Sequence, residues 1–171
     1  MGVEGEVLGK LRERFRPSDA AIVRERVVRI GIERNDLLPV CRFLKETLGV
    51  EHLTCISAVD WRDRYECVYH LTSWSRNFMV QINARIPKDD PHIDSLTPLW
   101  NGANVHEREA YDLMGIHFAG HPNLKRIMLW EGFPGHPLRK DFMALPGGFR
   151  PGLRRFPNED PDLWGGEFRG G

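Results

Sequence analysis

Apolar and polar positions divide this chain into stretches of distinct period. Residues 4 to 15 place Val7, Leu8, Leu11 and Phe15 at helical spacing, and Pro17 ends the pattern. Val28, Ile30 and Ile32 then alternate with Arg29, Gly31 and Glu33, the period of a half-buried strand. Asn35-Asp36 next offers a helix cap, followed by a stripe of Leu37, Val40, Cys41, Leu44 and Leu48 that Gly49 closes.

Three strands are predicted after this helix. HLTCISAVDW is almost wholly apolar and suits a central position. YECVYHLTSW sets Tyr65, Cys67, Tyr69 and Leu71 on one face, and NFMVQINARIP does the same with Phe78, Val80, Ile82, Ala84 and Ile86. The connections Arg62-Asp63-Arg64 and Ser75-Arg76-Asn77 are too short for a crossover helix, so these strands form an antiparallel meander. The expected fold is α+β: a four-stranded, mostly antiparallel sheet with helices packed on it. Residues 87–100 read as a turn and a short helix.

Residues 104–116 wind into a helix at about 100° per residue. Arg108, Glu109 and Asp112 fall on one side with Val105 and Ile116, and Glu107 on the other beside Ala110, Tyr111 and Met114. A helix with charge and apolar groups all round is expected between two bodies. Asn104 is the expected cap and Gly115 the expected left-handed end. Beyond it, His121-Pro122 and Gly135-His136-Pro137 stiffen a loop that carries Lys125-Arg126 and Arg139-Lys140-Asp141. Carboxylates among apolar groups need partners, so Glu107, Glu109 and Asp112 are expected to pair with Arg126, Arg139 and Lys140.

Residues 143–171 are rich in glycine and proline and carry Phe149, Phe156, Trp164 and Phe168. They read as an extended arm whose rings dock on a neighbouring protein. The expected organisation is an α+β domain over 1–100, a charged helix and loop docking segment over 101–142, and this arm.

Composition narrows the function. Lysine plus arginine equals aspartate plus glutamate at 24 each, so no net field draws the chain to nucleic acid or an anionic membrane. No apolar run reaches the roughly 20 residues that span a bilayer, and the amino terminus lacks a secretory pattern. A cytoplasmic chain, joined to a membrane only through partners, is expected. Cys41, Cys55 and Cys67 contain no CxxC pair and read as buried, reduced thiols rather than cluster or zinc ligands. HEREA starts like HExxH but has Ala110 at the second histidine position. His117, His121 and His136 with Asp141 could be drawn as a metal or acid-base set, but histidines beside prolines more often anchor a loop. Phosphate-binding glycine motifs and a GxSxG elbow are absent.

EREAYDLMGI, HPNLKRI and GHPLRKDF, in that order, resemble the 30 kDa subunit family of respiratory complex I, the bacterial NADH-quinone oxidoreductase. The resemblance implies a subunit without cofactors of its own in the peripheral arm, bound chiefly to the 49 kDa subunit. FMN and iron-sulfur clusters on partner subunits would carry electrons from NADH to quinone on the cytoplasmic side of the membrane. In that setting Glu107, Arg108, Glu109, Asp112, Gly115, His121, Pro122, Arg126, Gly135, His136, Pro137, Arg139, Lys140, Asp141, Phe149, Phe156 and Trp164 would be docking or structural residues. Two alternatives stay open. One is the equivalent subunit of a membrane hydrogenase or of a ferredoxin- or F420H2-linked reductase. The other is a free-standing His/Glu metalloenzyme.

Overall fold

A computed structural model describes residues 2–142; Phe149, Phe156, Trp164 and the rest of the expected arm lie outside the described residues. The chain runs α1 (Val3–Phe15), β1 (Asp19–Arg24), β2 (Val27–Glu33), a short 3-10 turn, α2 (Leu37–Leu48), β3 (His52–Asp60), β4 (Arg64–Ser73), β5 (Phe78–Pro87), β6 (His92–Asp94), α3 (Ala103–Met114) and β7 (His117–Ala119). The sheet order is β1-β2-β5-β4-β3. β3, β4 and β5 form the antiparallel meander, while β2 joins β5 in parallel and β1 joins β2 antiparallel.

The sheet therefore has five strands rather than four. β1 escaped sequence reading because it is an exposed edge strand whose residues DAAIVR show no inward alternation. Residues 87–100 also differ from expectation. They hold β6, paired in parallel with β7, followed by turns, instead of a short helix. Three-residue strands are too short to show a period in sequence, and their pairing across 25 positions, His92 with His117, is a tertiary event.

One hydrophobic core joins the inward faces of α1, α2 and β2–β5 with Ala103, Ala110, Met114, Ile116 and Phe118 from α3 and its exit. Asp36 precedes α2 without giving it a side-chain cap, and Gly49 ends it in the left-handed region at φ 70°. α3 begins one residue before Asn104, with Gly102 at its N-cap and no side-chain cap hydrogen bond.

The core face of α3 carries one carboxyl. Glu107 is fully buried and meets no cation among the described residues: its oxygens accept from the Ser95 hydroxyl and the Leu96 N–H, each at 2.6 Å. This clips α3 to the segment after β6. Burial, opposed by those two donors, pushes the Glu107 carboxyl up to about 7.

Below the usual carboxyl range both folded and unfolded states are protonated, and the fold keeps its full stability. As pH rises towards about 7 the unfolded chain ionises first, so stability falls. Glu107→Gln keeps the shape and cannot ionise. It is expected to be more stable than the native chain at pH 8 by up to about 3 kcal/mol, with the difference shrinking towards pH 4.5. Chemical denaturation of both proteins across that range reads the difference directly; a constant difference would place the shift elsewhere.

Candidate docking surface

Residues 121–142 form a strap across the side of α3 that faces away from the sheet. Asp112 lies five residues after Glu107, about 140° further round the helix, and this rotation carries it to the strap side. Asp112 is fully buried. Its Oδ2 accepts the backbone N–H groups of Ile127, Met128 and Leu129 at 3.0, 2.8 and 2.9 Å, and its Oδ1 accepts from the Arg126 guanidinium at 2.9 Å. Burial alone would raise this carboxyl. The Leu129, Met128 and Ile127 amides, with Arg126, outweigh it and hold Asp112 below the ordinary carboxylate range.

The strap is fastened along its length. Arg108 donates to the Lys125 and Arg126 carbonyls at 3.0 and 3.3 Å. Arg126 also donates to the Gly135 carbonyl at 3.1 Å, closing the loop between them. The His136 ring meets the Asp112 carbonyl at 2.9 Å, and the Arg139 guanidinium donates to the Met114 carbonyl at 2.7 Å and the Gly115 carbonyl at 3.4 Å. A cation there also complements the helix dipole of α3. The Arg139 guanidinium and the Lys88 ammonium both lie near the Tyr65 ring. The Lys140 N–H donates to Asp60 at 2.8 Å, tying the end of the strap to the end of β3, where Lys88 also meets Asp60 at 2.6 Å.

Of the three expected pairings for the α3 carboxylates, only Asp112 with Arg126 forms among the described residues. Glu107 turns into the core. Glu109 is partly exposed and lies 3.6 Å from His106. Arg139 spends its donors on helix carbonyls, and Lys140 contributes through its backbone. A helical wheel places residues on sides but does not say which carbonyls the chain leaves open at a helix end. Asp60 was missed altogether, since nothing local distinguishes an aspartate at a strand end.

The histidines act on the backbone. His121 meets the Asn104 carbonyl at 3.2 Å and accepts the Asn123 N–H at 3.0 Å, whereas His117 and Asp141 are exposed and stand apart. Burial lowers His136 from the usual histidine value. No three potential metal ligands come together among the described residues. Ala110 stands one turn after His106 where a second ligand would be, and Glu107 is buried against Ser95 and Leu96, so the HEREA resemblance to a zinc motif has no counterpart in space.

While Arg126, His136 and Arg139 turn inward, the strap exposes apolar side chains beside the charged Lys125, Glu131, Lys140 and Asp141. Met128, Trp130 and Leu138 are 59%, 44% and 58% exposed, and Val105 of α3 is exposed too. The Trp130 ring meets Phe133 edge-on at 4.7 Å, and Phe133 stacks on Phe142 at 5.9 Å, so an aromatic kernel backs this surface. Pro122 is exposed and Pro137 half-buried beside Leu138.

Gly115 sits under the strap at φ 71°, and an added Cβ would lie 2.5 Å from both Arg139 Nη2 and His136 Cδ2. Gly49 has a similar φ, but an added Cβ there would make only ordinary contacts, 3.9 Å from Arg76 Cδ and 4.0 Å from Ser75 Oγ. Gly49→Ala is expected to cost about 1 kcal/mol of backbone strain. Gly115→Ala should cost more and loosen the strap. Asp112→Ala, which strands three amides and a guanidinium, should cost about 3 kcal/mol. Thermal unfolding with limited proteolysis checks the order: cleavage within residues 121–142 should rise in the last two variants and not in Gly49→Ala.

Residues 30–146 match the family model described as the respiratory-chain NADH dehydrogenase 30 kDa subunit. The chain is 42% identical over 136 residues to a subunit of the NADH-quinone oxidoreductase of Rhizobium meliloti, covering 77% of this chain and 73% of that one. Its fold is similar to a chain of the membrane-bound sulfane sulfur reductase, an archaeal respiratory membrane complex. That likeness has a TM-score of 0.70 and 26% identity over 82% of this chain and 86% of the other. It is also similar to the trypsin-resistant fragment of Nqo5, with a TM-score of 0.63 and 27% identity over 71% of this chain and 99% of the fragment. The chain belongs to the respiratory-chain NADH dehydrogenase 30 kDa subunit family.

Proposed function

We propose that this chain is a structural subunit of the hydrophilic arm of a proton-translocating NADH:quinone oxidoreductase, with no cofactor of its own. Electrons would pass from NADH through FMN and iron-sulfur clusters on partner subunits to quinone. The strap would grip the 49 kDa subunit, on the cytoplasmic side of the membrane, and the chain would reach that membrane only through its partners. Among the described residues no helix is long and apolar enough to cross a bilayer.

One observation carries this reading: a strap whose Arg126, His136 and Arg139 are taken up in fastening it to α3 while Met128, Trp130 and Leu138 face outward. Backed by aromatic rings, these apolar side chains, on a strap that also exposes Lys125, Glu131, Lys140 and Asp141, resemble the Met- and Trp-rich centre and polar rim of a protein interface. Prior fastening also lowers the ordering cost of association. Asp112, Arg126, His136 and Arg139 are then positioning residues, acting through the strap they hold.

A second reading keeps the same surface and changes the complex. The likeness to a chain of the sulfane sulfur reductase favours a related membrane reductase with another electron donor or acceptor. The strap would grip the corresponding partner there.

Leu138→Asp adds a charge at an exposed position and should change the subunit's own stability by no more than about 0.5 kcal/mol. In affinity purification of the tagged full-length chain from detergent-solubilised membranes, this variant should recover far less of the partner subunits than the native chain. Equal recovery would overturn the docking assignment. The identities of the proteins recovered with the native chain decide between the two complexes.

A further inference from the structure

The three cysteines occupy unlike surroundings. Cys41 and Cys67 are fully buried, and burial drives the Cys41 thiol far above its ordinary range and the Cys67 thiol up to about 12. Neither is available as a nucleophile. Cys55 is only half-buried, and its Sγ lies 3.3 Å from His70 Nδ1.

The backbone builds this contact. Cys55 and His70 are direct cross-strand partners on β3 and β4, and a register irregularity between Leu53 and Cys55 supplies the extra residue that aligns them. Without that irregularity, strict alternation would not let both Thr54 and Cys55 meet β4 on the same face. As it is, Thr54 bonds Thr72 at 2.9 Å and Cys55 bonds His70 beside it. His70 stands between buried Tyr69 and Leu71, so it projects on the sheet face opposite the core. Gln81 is its neighbour on β5. A thiol within hydrogen-bond reach of an imidazole, at an open sheet face, is a nucleophile with its base in place.

We propose that Cys55 and His70 form a thiol–imidazole dyad that undergoes reversible S-thiolation by low-molecular-weight disulfides. His70 takes the thiol proton as Cys55 Sγ attacks one sulfur of the disulfide RSSR. The RS–SR bond breaks, a Cys55–SR mixed disulfide forms, and the departing RS⁻ receives the proton from His70. No net electron leaves the pair of reactants, because one disulfide replaces another. The site is independent of the strap, which lies over α3.

Glutathione disulfide is the probe. Incubated with the full-length chain at pH 7 and mapped by mass spectrometry, it should add one glutathione at Cys55 and none at Cys41 or Cys67. His70→Gln should slow the addition on the order of tenfold at pH 7, with the gap closing at pH 10, where bulk hydroxide replaces the imidazole as base. A second comparison needs no variant: Cys55 of the native chain should react faster at pH 7 than Cys55 of the same chain unfolded in urea. Modification elsewhere, a rate in His70→Gln equal to the native one, or a native rate no faster than the unfolded one would each overturn the dyad.

Discussion

A carboxylate withdrawn wholly from water keeps its charge only if donors replace the hydration it has lost. Asp112 meets that condition with three consecutive backbone amides and one guanidinium, all supplied by the strap. The strap's apolar side chains are divided: Phe133 and Phe142 are buried and Leu124 packs on the core, while Met128, Trp130 and Leu138 point away. Asp112 is the strap's most densely bonded anchor on α3, with Arg108, His136 and Arg139 completing the attachment through helix and loop carbonyls. Any outward surface built on residues 121–142 inherits its shape from this contact.

Glu107 shows the opposite solution on the same helix. It too is fully buried, but its partners are two neutral donors in place of a cation, so burial wins and the proton is held to about 7. The two acids, five residues apart, thus divide the work of seating α3. One clips the helix to the segment after β6, and the other holds the strap against its far side. The helix lies between two bodies, which is why neither of its faces is cleanly polar.

The sheet supplies the rigid base. Parallel pairing of β2 with β5 brings the amino-terminal third of the chain against the meander and covers one face with α1 and α2. Asp60, at the end of β3, then offers the strap its last anchor through the Lys140 amide. The opposite sheet face carries His70, Thr72, Gln81 and Asn83 along with Val68 and Met79, and the Cys55–His70 contact belongs to it.

Much of this was legible along the chain. The apolar stripes of α1 and α2, the alternation in β2, β4 and β5, the short hairpin connections and the left-handed glycines at 49 and 115 are local consequences of period and backbone freedom, and each stands where its residues indicate. The motifs around Glu107, Lys125 and Arg139 were enough to indicate the family. Edge strand β1, the β6–β7 pair and the bulge beside Cys55 left no such trace, because each is defined by a partner distant in sequence. So are the charge pairings. A helical wheel sets Glu107 apart from Glu109 and Asp112 but does not separate those two, and only the three-dimensional packing decided that Glu107 would be buried against neutral donors, Glu109 would stay near solvent, and Asp112 would bind three amides and an arginine. Composition can require that a buried charge find a partner, but which partner arrives depends on where the folded chain brings its donors.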